Sequence, residues 1–414
     1  MEELNWQRWG EPSYYGTVNK IPLVDGVYVY KTANNLELPI KLTNFNLFES
    51  SNNLLVVLNA AVAQKNTHPP YFSGSKLASG FNGPVLSISD PGTHFSDVNL
   101  AWYAGTKAHP NLLSNICEVI CTICLKASLK PLILGSSGGG FATLALAKSL
   151  TIESDCIVIN PQTNIFRYWE SHVRKYLEEC HDLDYSSASE KVLNQNGIVT
   201  DVTPSGKKDA PVLYLQNLFD YHHIDRHFTP YFANENVNNR VSGEVHSTRW
   251  FIAPWGRGHH RVWPEQIQLI LIHYLAGSSF SEIIILLESI FYPSIKNPSQ
   301  FQLSEIENDV VGDIDFRSIR FDESFDDAKY SWSIFSQYTM TGKVEMNFYR
   351  VVYFLLDYVL WLGNQKENDN WYLSDEEREV RIKLVKAVIS ICEEVGIFDT
   401  ELSILKTLKG NLNQ

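Results

Sequence analysis

The chain has 414 residues, 44% of them apolar, and a net charge of −13. That composition supports a sizeable core and excludes a disordered chain, and its acidity excludes the basic face that nucleic acid or an anionic membrane would need. No apolar run reaches the ~18 residues of a membrane span, the N-terminus does not read as a signal peptide, and six cysteines make no disulfide framework, so a cytoplasmic protein is expected.

Residues 27–32 and 37–43 are β-rich runs around Ala33-Asn34-Asn35 and predict a hairpin. Short apolar runs follow at 54–59, 84–89, 131–135, 155–160, 211–217 and 248–253. Runs this short and apolar on both faces suit central strands of a mostly parallel sheet. Helices are expected between them, at about 111–128, 139–150, 165–179, 222–233 and 264–276. Eight strands with interleaved helices, the first two strands antiparallel, make a doubly wound α/β plan for a domain spanning 1–280.

Residues 281–414 change character. They carry a net charge of −10, against −3 for 1–280. A capping-box pattern at Ser374-Asp375-Glu376-Glu377 and the apolar stretch 348–362 predict a mainly helical appendage. It offers no catalytic cluster, and its apolar stretch needs a cover, either the first domain or a protein partner.

The strongest chemical signal is Gly135-Ser136-Ser137-Gly138-Gly139-Gly140, between an apolar strand and a helix. This is Gly-x-Ser-x-Gly in the strand–turn–helix context where it forms a nucleophile elbow. The turn is tight, so the residues two before and two after the nucleophile must be small. Ser137 has Gly135 and Gly139 there, whereas Ser136 would have Leu134, so Ser137 is the expected nucleophile. The Gly138 N–H is the expected first oxyanion donor, and the loop after 54–59, near Ala60 or Ala61, is expected to supply the second.

A serine nucleophile needs a base, and the base needs a carboxylate, in the chain order Ser, Asp/Glu, His. Asp220 lies just past the strand 211–217, and His259-His260 follow the strand 248–253. Gly258 frees the loop to aim His259, so His259 is preferred and His260 held in reserve. Asp225 is the rival acid but falls within a helical run, and Asp220 could equally be a helix N-cap. The set His222, His223 and His227 has no Cys or carboxylate pattern for zinc and is read as a pocket mouth or a solvated face. Cys117, Cys121 and Cys124 share a helix face and read as core. No metal and no organic cofactor is expected.

Together these residues resemble the α/β-hydrolase superfamily over about 1–280. The phrases Ser89-Asp90-Pro91, Ala101-Trp102-Tyr103-x-Gly105, Asn160-Pro161-Gln162-Thr163, Gln216-Asn217-x-x-Asp220-x-His222-His223 and Gly258-His259 also resemble a bacterial branch of it. That branch includes the acetyl-transfer component of the accessory Sec system. The Asn59-Ala60-Ala61 loop and the doubled His depart from the superfamily pattern. The resemblance implies a serine esterase or acetyltransferase acting on a small ester or an acylated glycan. The pocket rim is expected from 60–80, 161–175 and the helix after Asp220, with Tyr71, Phe72, Arg167, Tyr168, Trp169, Tyr221 and His222. A serine peptidase or a catalytically silent scaffold are the alternatives.

Overall fold

The structure, a computed structural model, describes residues 4–62, 68–78, 80–95, 97–186, 188–203, 210–218, 220–232, 240–253, 255 and 258–291, with Lys386, Ile389 and Lys406. The apolar stretch 348–362, the capping box at Ser374 and the partner surface expected there lie outside the described residues. Two compact units divide the chain. The first comprises Met1–Glu235, Glu244–Trp255 and His259–Ile284, and the second Asn236–Gly243, Gly256–Gly258 and Ile285–Gln414. Within the second, the Ser242 hydroxyl donates to the Glu288 carboxylate.

Ten strands form one sheet: β1 (Ser13–Tyr15), β2 (Gly26–Lys31), β3 (Glu37–Thr43), β4 (Asn53–Leu58), β5 (Val85–Ile88), β6 (Lys130–Ser136), β7 (Asp155–Ile159), β8 (Val212–Asn217), β9 (Ser242–Val245) and β10 (Thr248–Ala253). Their order is β1-β2-β3-β5-β4-β6-β7-β8-β10-β9. The strand β3 runs antiparallel to β2 and β5, while β4, β6, β7, β8 and β10 pair in parallel. Continuous apolar runs such as Leu54–Leu58 are buried on both faces, which is what central parallel strands require. The eight expected strands all form. The edge strands β1 and β9 are additional, and their three or four residues show no apolar run to betray them.

Helices of seven or more residues are α1 (Leu112–Ala127), α2 (Gly138–Ser149), α3 (Glu170–His181), α4 (Ser189–Gln195), α5 (Pro264–Leu275) and α6 (Phe280–Phe291). Pro264 starts α5 at the first-turn position where its missing N–H costs nothing. Cys117 and Cys124 lie on α1 with thiols pushed up to about 12 by burial, as unreactive packing groups. The α2 helix follows β6 directly and is buried from Gly138 to Ala147. This strand order, with a strand–turn–helix at β6–α2 in the middle of the sheet, is the α/β-hydrolase fold. It places the ends of β6, β8 and β10, and the loops that follow them, at one edge of the sheet.

Candidate active site

Ser137 stands between β6 and α2 at φ 53° and ψ −118°, a conformation that costs a non-glycine residue of order 1–3 kcal/mol. The surroundings enforce it. A Cβ at Gly135 would strike the Gly139 carbonyl, and a Cβ at Gly139 would sit 2.6 Å from the Asn59 carbonyl oxygen and 2.8 Å from that of Leu58. The small flanking residues therefore let β4, β6 and α2 close together, which lifts the Ser137 side chain out of the turn. The Ser137 N–H donates to Ile159 O at 3.0 Å, tying the turn to β7. Behind it, the first N–H groups of α2 are unsatisfied within the helix and present partial positive charge to an anion. Gly138 supplies the nearest of them. Ala60, the expected second oxyanion donor, follows β4 and is half-buried.

The Ser137 hydroxyl accepts a hydrogen bond from Gln162 Nε2 at 2.9 Å. The other end of that amide accepts from the Trp102 indole N–H, so its orientation is fixed. A donor directed at the nucleophile oxygen leaves the serine's own proton for a base. Gln162 lies three residues beyond the end of β7, beside Ser137 in space, and is not among the site residues expected from the sequence.

Two buried asparagines join the loops that carry Asp220 and His259. Asn160, just after β7, accepts from the Asn217 N–H at 2.6 Å and donates to His260 O at 2.8 Å. Asn217, ending β8, accepts in turn from the Trp255 N–H at 3.0 Å. The ends of β7, β8 and β10 are thus joined by side chains. Asp220 and His259 meet there, with Asp220 Oδ2 2.5 Å from His259 Nδ1. Burial alone would push the Asp220 carboxyl up, but its contacts with His223 and His259 outweigh this and hold it below the usual carboxylate range. An ionised carboxylate only accepts, so His259 Nδ1 carries the proton and Nε2 is left as the basic lone pair. Asp220 also caps the turn that follows, accepting from the His223 N–H at 3.3 Å. The capping contact and the contact with His259 coexist. Asp225 pairs instead with Arg226 at 3.5 Å, and His260 turns to Arg261 O.

The histidines after Asp220 are not on a solvated face. His222, His223 and His227 are all buried, on a short turn Tyr221–His223 that continues into a π-helical turn Ile224–Phe228. The π turn, a form common at functional sites, carries His227. Burial lowers all three, His222 to about 3. They are therefore neutral at ordinary pH. Tyr168 packs against all three rings at centroid distances of 5.8–6.2 Å, and Trp169, 45% exposed, stacks on His222 at 4.0 Å. The side chain of Tyr221 lies outside the described residues. Tyr71 and Phe72, expected at the rim, are buried, and Phe72 packs edge-on to Trp9.

Asp220, His223 and His259 are close enough to share a metal, with ligand atoms within 4.8 Å of one another. Their arrangement suits hydrogen bonding better, because the two stacked rings direct their Nδ1 atoms side by side at separate oxygens and not at one point. A separate cavity of about 530 Å³, bordered by Trp6, Tyr14, Pro91, His94 and His109, touches none of Ser137, Asp220 or His259.

No protein-family model matches the sequence, and no curated protein matches it. Among solved structures, the chain is similar to the capsule O-acetyltransferase of Neisseria meningitidis serogroup A, at 15% identity and TM-score 0.40 over 63% of this chain and 96% of that one. It is similar to the fluorophosphonate-binding serine hydrolase F of Staphylococcus aureus, at 15% identity and TM-score 0.40 over 61% and 98%. It is also similar to a post-proline cleaving enzyme from Rickettsia typhi, at 14% identity and TM-score 0.42 over 64% of this chain and 38% of that longer one.

Proposed function

We propose that the protein is a serine-dependent hydrolase or acyltransferase acting on carboxylic esters, with Ser137 as nucleophile, His259 as base and Asp220 as the carboxylate behind it. One observation carries the reading. A serine held at φ 53° on a strand–helix turn shares its sheet edge with an aspartate 2.5 Å from a histidine whose Nε2 is left as the base. Ser137 Oγ attacks the acyl carbon and its proton passes to His259 Nε2, while the carbonyl pair moves onto oxygen beside the Gly138 N–H, with Ala60 as the second donor. Collapse breaks the ester C–O bond, and the His259 proton leaves with the alcohol. A water or sugar hydroxyl then repeats the sequence in reverse on the acyl-enzyme.

The substrate class we favour is an O-acetylated glycan, as the resemblance to the branch containing the accessory Sec acetyl-transfer component implies. Trp169 lends support: an exposed indole made rigid by the stacked His222 ring is the kind of flat apolar platform that a sugar ring covers. Tyr168, Trp169, Tyr221 and His222 are the residues we assign to substrate binding.

The test is fluorophosphonate labelling with mapping of the modified residue, followed by acetate release from acetylated sugars and aryl acetates. Labelling at Ser137, with acetate release far above peptide-amide cleavage, is the expected result. Dominant amidase activity would favour the peptidase, and an unreactive Ser137 would favour the silent scaffold.

A further inference from the structure

Asp220 serves two imidazoles, and the proposed reaction uses only one. Its Oδ2 takes the Nδ1–H of His259 at 2.5 Å, and its Oδ1 lies 3.0 Å from Nδ1 of His223. Because the carboxylate is ionised, both rings must be donors towards it. The two imidazoles lie face to face, with centroids 4.1 Å apart and planes 15° from parallel. His223 is 1% exposed, and its Nε2 has no hydrogen-bond partner among the described residues. Leaving a buried ring nitrogen unsatisfied carries a cost that a residue serving only to pack would avoid by being apolar.

We infer that His223 is a positioning residue for His259, pinning the second oxygen of Asp220 and backing the base with its own ring. This rests on the proposed function. The terminal torsion of an aspartate is soft, so a carboxylate with one partner can swing about its Cβ–Cγ bond. The His223 N–H reaches Oδ1 only at 3.3 Å, and the ring Nδ1–H at 3.0 Å adds a closer donor that restricts this freedom and keeps Oδ2 aimed at His259. The stacked ring restrains His259 from the other side. When His259 takes the serine's proton, the neighbour it meets is a neutral π-face, which favours a cation. Neutrality is essential here, since a charged His223 would repel the imidazolium at 4.1 Å. Burial supplies it, with His222 and His227 packed beside His223 in the same neutral state.

Three variants separate positioning from packing. His223→Phe keeps a flat ring and removes the donor. His223→Gln keeps polarity but sets its amide where Nε2 was, away from Asp220. His223→Asn puts an amide N–H where Nδ1 was. The readouts are kcat and KM on an aryl acetate, the melting temperature, and the downfield proton resonance of the His259 Nδ1–H, which reports the Asp220 bond without substrate. In the Phe and Gln variants kcat should fall ~10–100-fold with KM within about twofold, the size seen when a partner behind a functional side chain is lost. The His259 resonance should broaden by exchange with water in both, and the Asn variant should restore it with most of the activity. If the resonance in the Phe variant matches the wild type, His223 merely packs, whatever happens to the melting temperature. Should the Phe variant fail to fold, the Gln variant decides by the same measurement. A wild-type protein that fluorophosphonate leaves unlabelled would overturn the proposed function, while the resonance still decides on His223.

Discussion

Ser137 is fixed by backbone, whereas Asp220 and His259 are fixed by side chains. Around Ser137, two strands and a helix approach so closely that glycine is the residue that fits at 135 and 139, and the strained turn follows. On the acid–base side, the backbone leaves room, and Asn160, Asn217 and His223 set the geometry through hydrogen bonds. The first kind of construction tolerates no added volume. The second tolerates volume but depends on each donor and acceptor finding its partner. Damage on the two sides should therefore look different.

The largest effect should come from Ser137→Ala, with labelling abolished and kcat lowered by ~10⁵–10⁶-fold while the melting temperature holds. Asp220→Asn should follow at ~10⁴-fold, because the amide favours the wrong tautomer of His259. If Asp225→Asn proves the more damaging change in rate assays, the carboxylate has been misassigned.

Acid should destabilise the fold through its buried histidines, three of which lie beside Asp220. His94 and His222 are lowered to about 3 and His181 to about 4, and His223 and His227 are lowered too, all chiefly by burial. An unfolded histidine takes its proton near pH 6.5 while these stay neutral. Their contribution is fully present above that pH and is lost as pH falls below it, at up to ~1.4 kcal/mol per unit for each ring. Asp90, raised to about 6 by burial, works in the opposite sense between pH 6 and 4 and offsets about one of them. A melting temperature that stays flat from pH 7.5 to 5 would contradict this balance.

Gln162→Leu tests whether the nucleophile side has a side-chain component after all. Losing the donor to Ser137 should lower kcat by ~10²-fold, the cost typical of one active-site donor. The smallest effect expected is Gly139→Ala, a destabilisation of ~1–3 kcal/mol from overpacking against the Asn59 carbonyl, read by denaturant titration.

The same contrast decides what is legible in the amino-acid sequence. The elbow is a local pattern, since six consecutive residues state both the turn and its steric reason. The central strands are equally legible, because burial on both faces writes itself as an unbroken apolar run. The order Ser137, Asp220, His259 follows from positions just past strands. Gln162 and His223 sit within the runs Asn160–Thr163 and Gln216–His223, but those runs do not reveal their contacts, which are with residues 25 and 36 positions away in the chain. Asp220 and His223, three apart with Asp at a turn start, are the one local hint.

The His259 side chain is 42% exposed, although its partner Asp220 is sealed. If His259 is the base proposed above, the proton it collects exchanges with bulk solvent directly, without a relay through the protein. The same opening admits water to the acyl-enzyme. If the acyl group is to reach a sugar, the acceptor hydroxyl must win by occupancy, since this ring does not shut water out. Bound in line with the acyl carbon, a hydroxyl can reach an effective concentration of ~10⁵ M or more, enough to outcompete the solvent around it. The ratio of transferred to released acetate should then follow the saturation of the acceptor site, rising with sugar concentration and levelling off when that site is full.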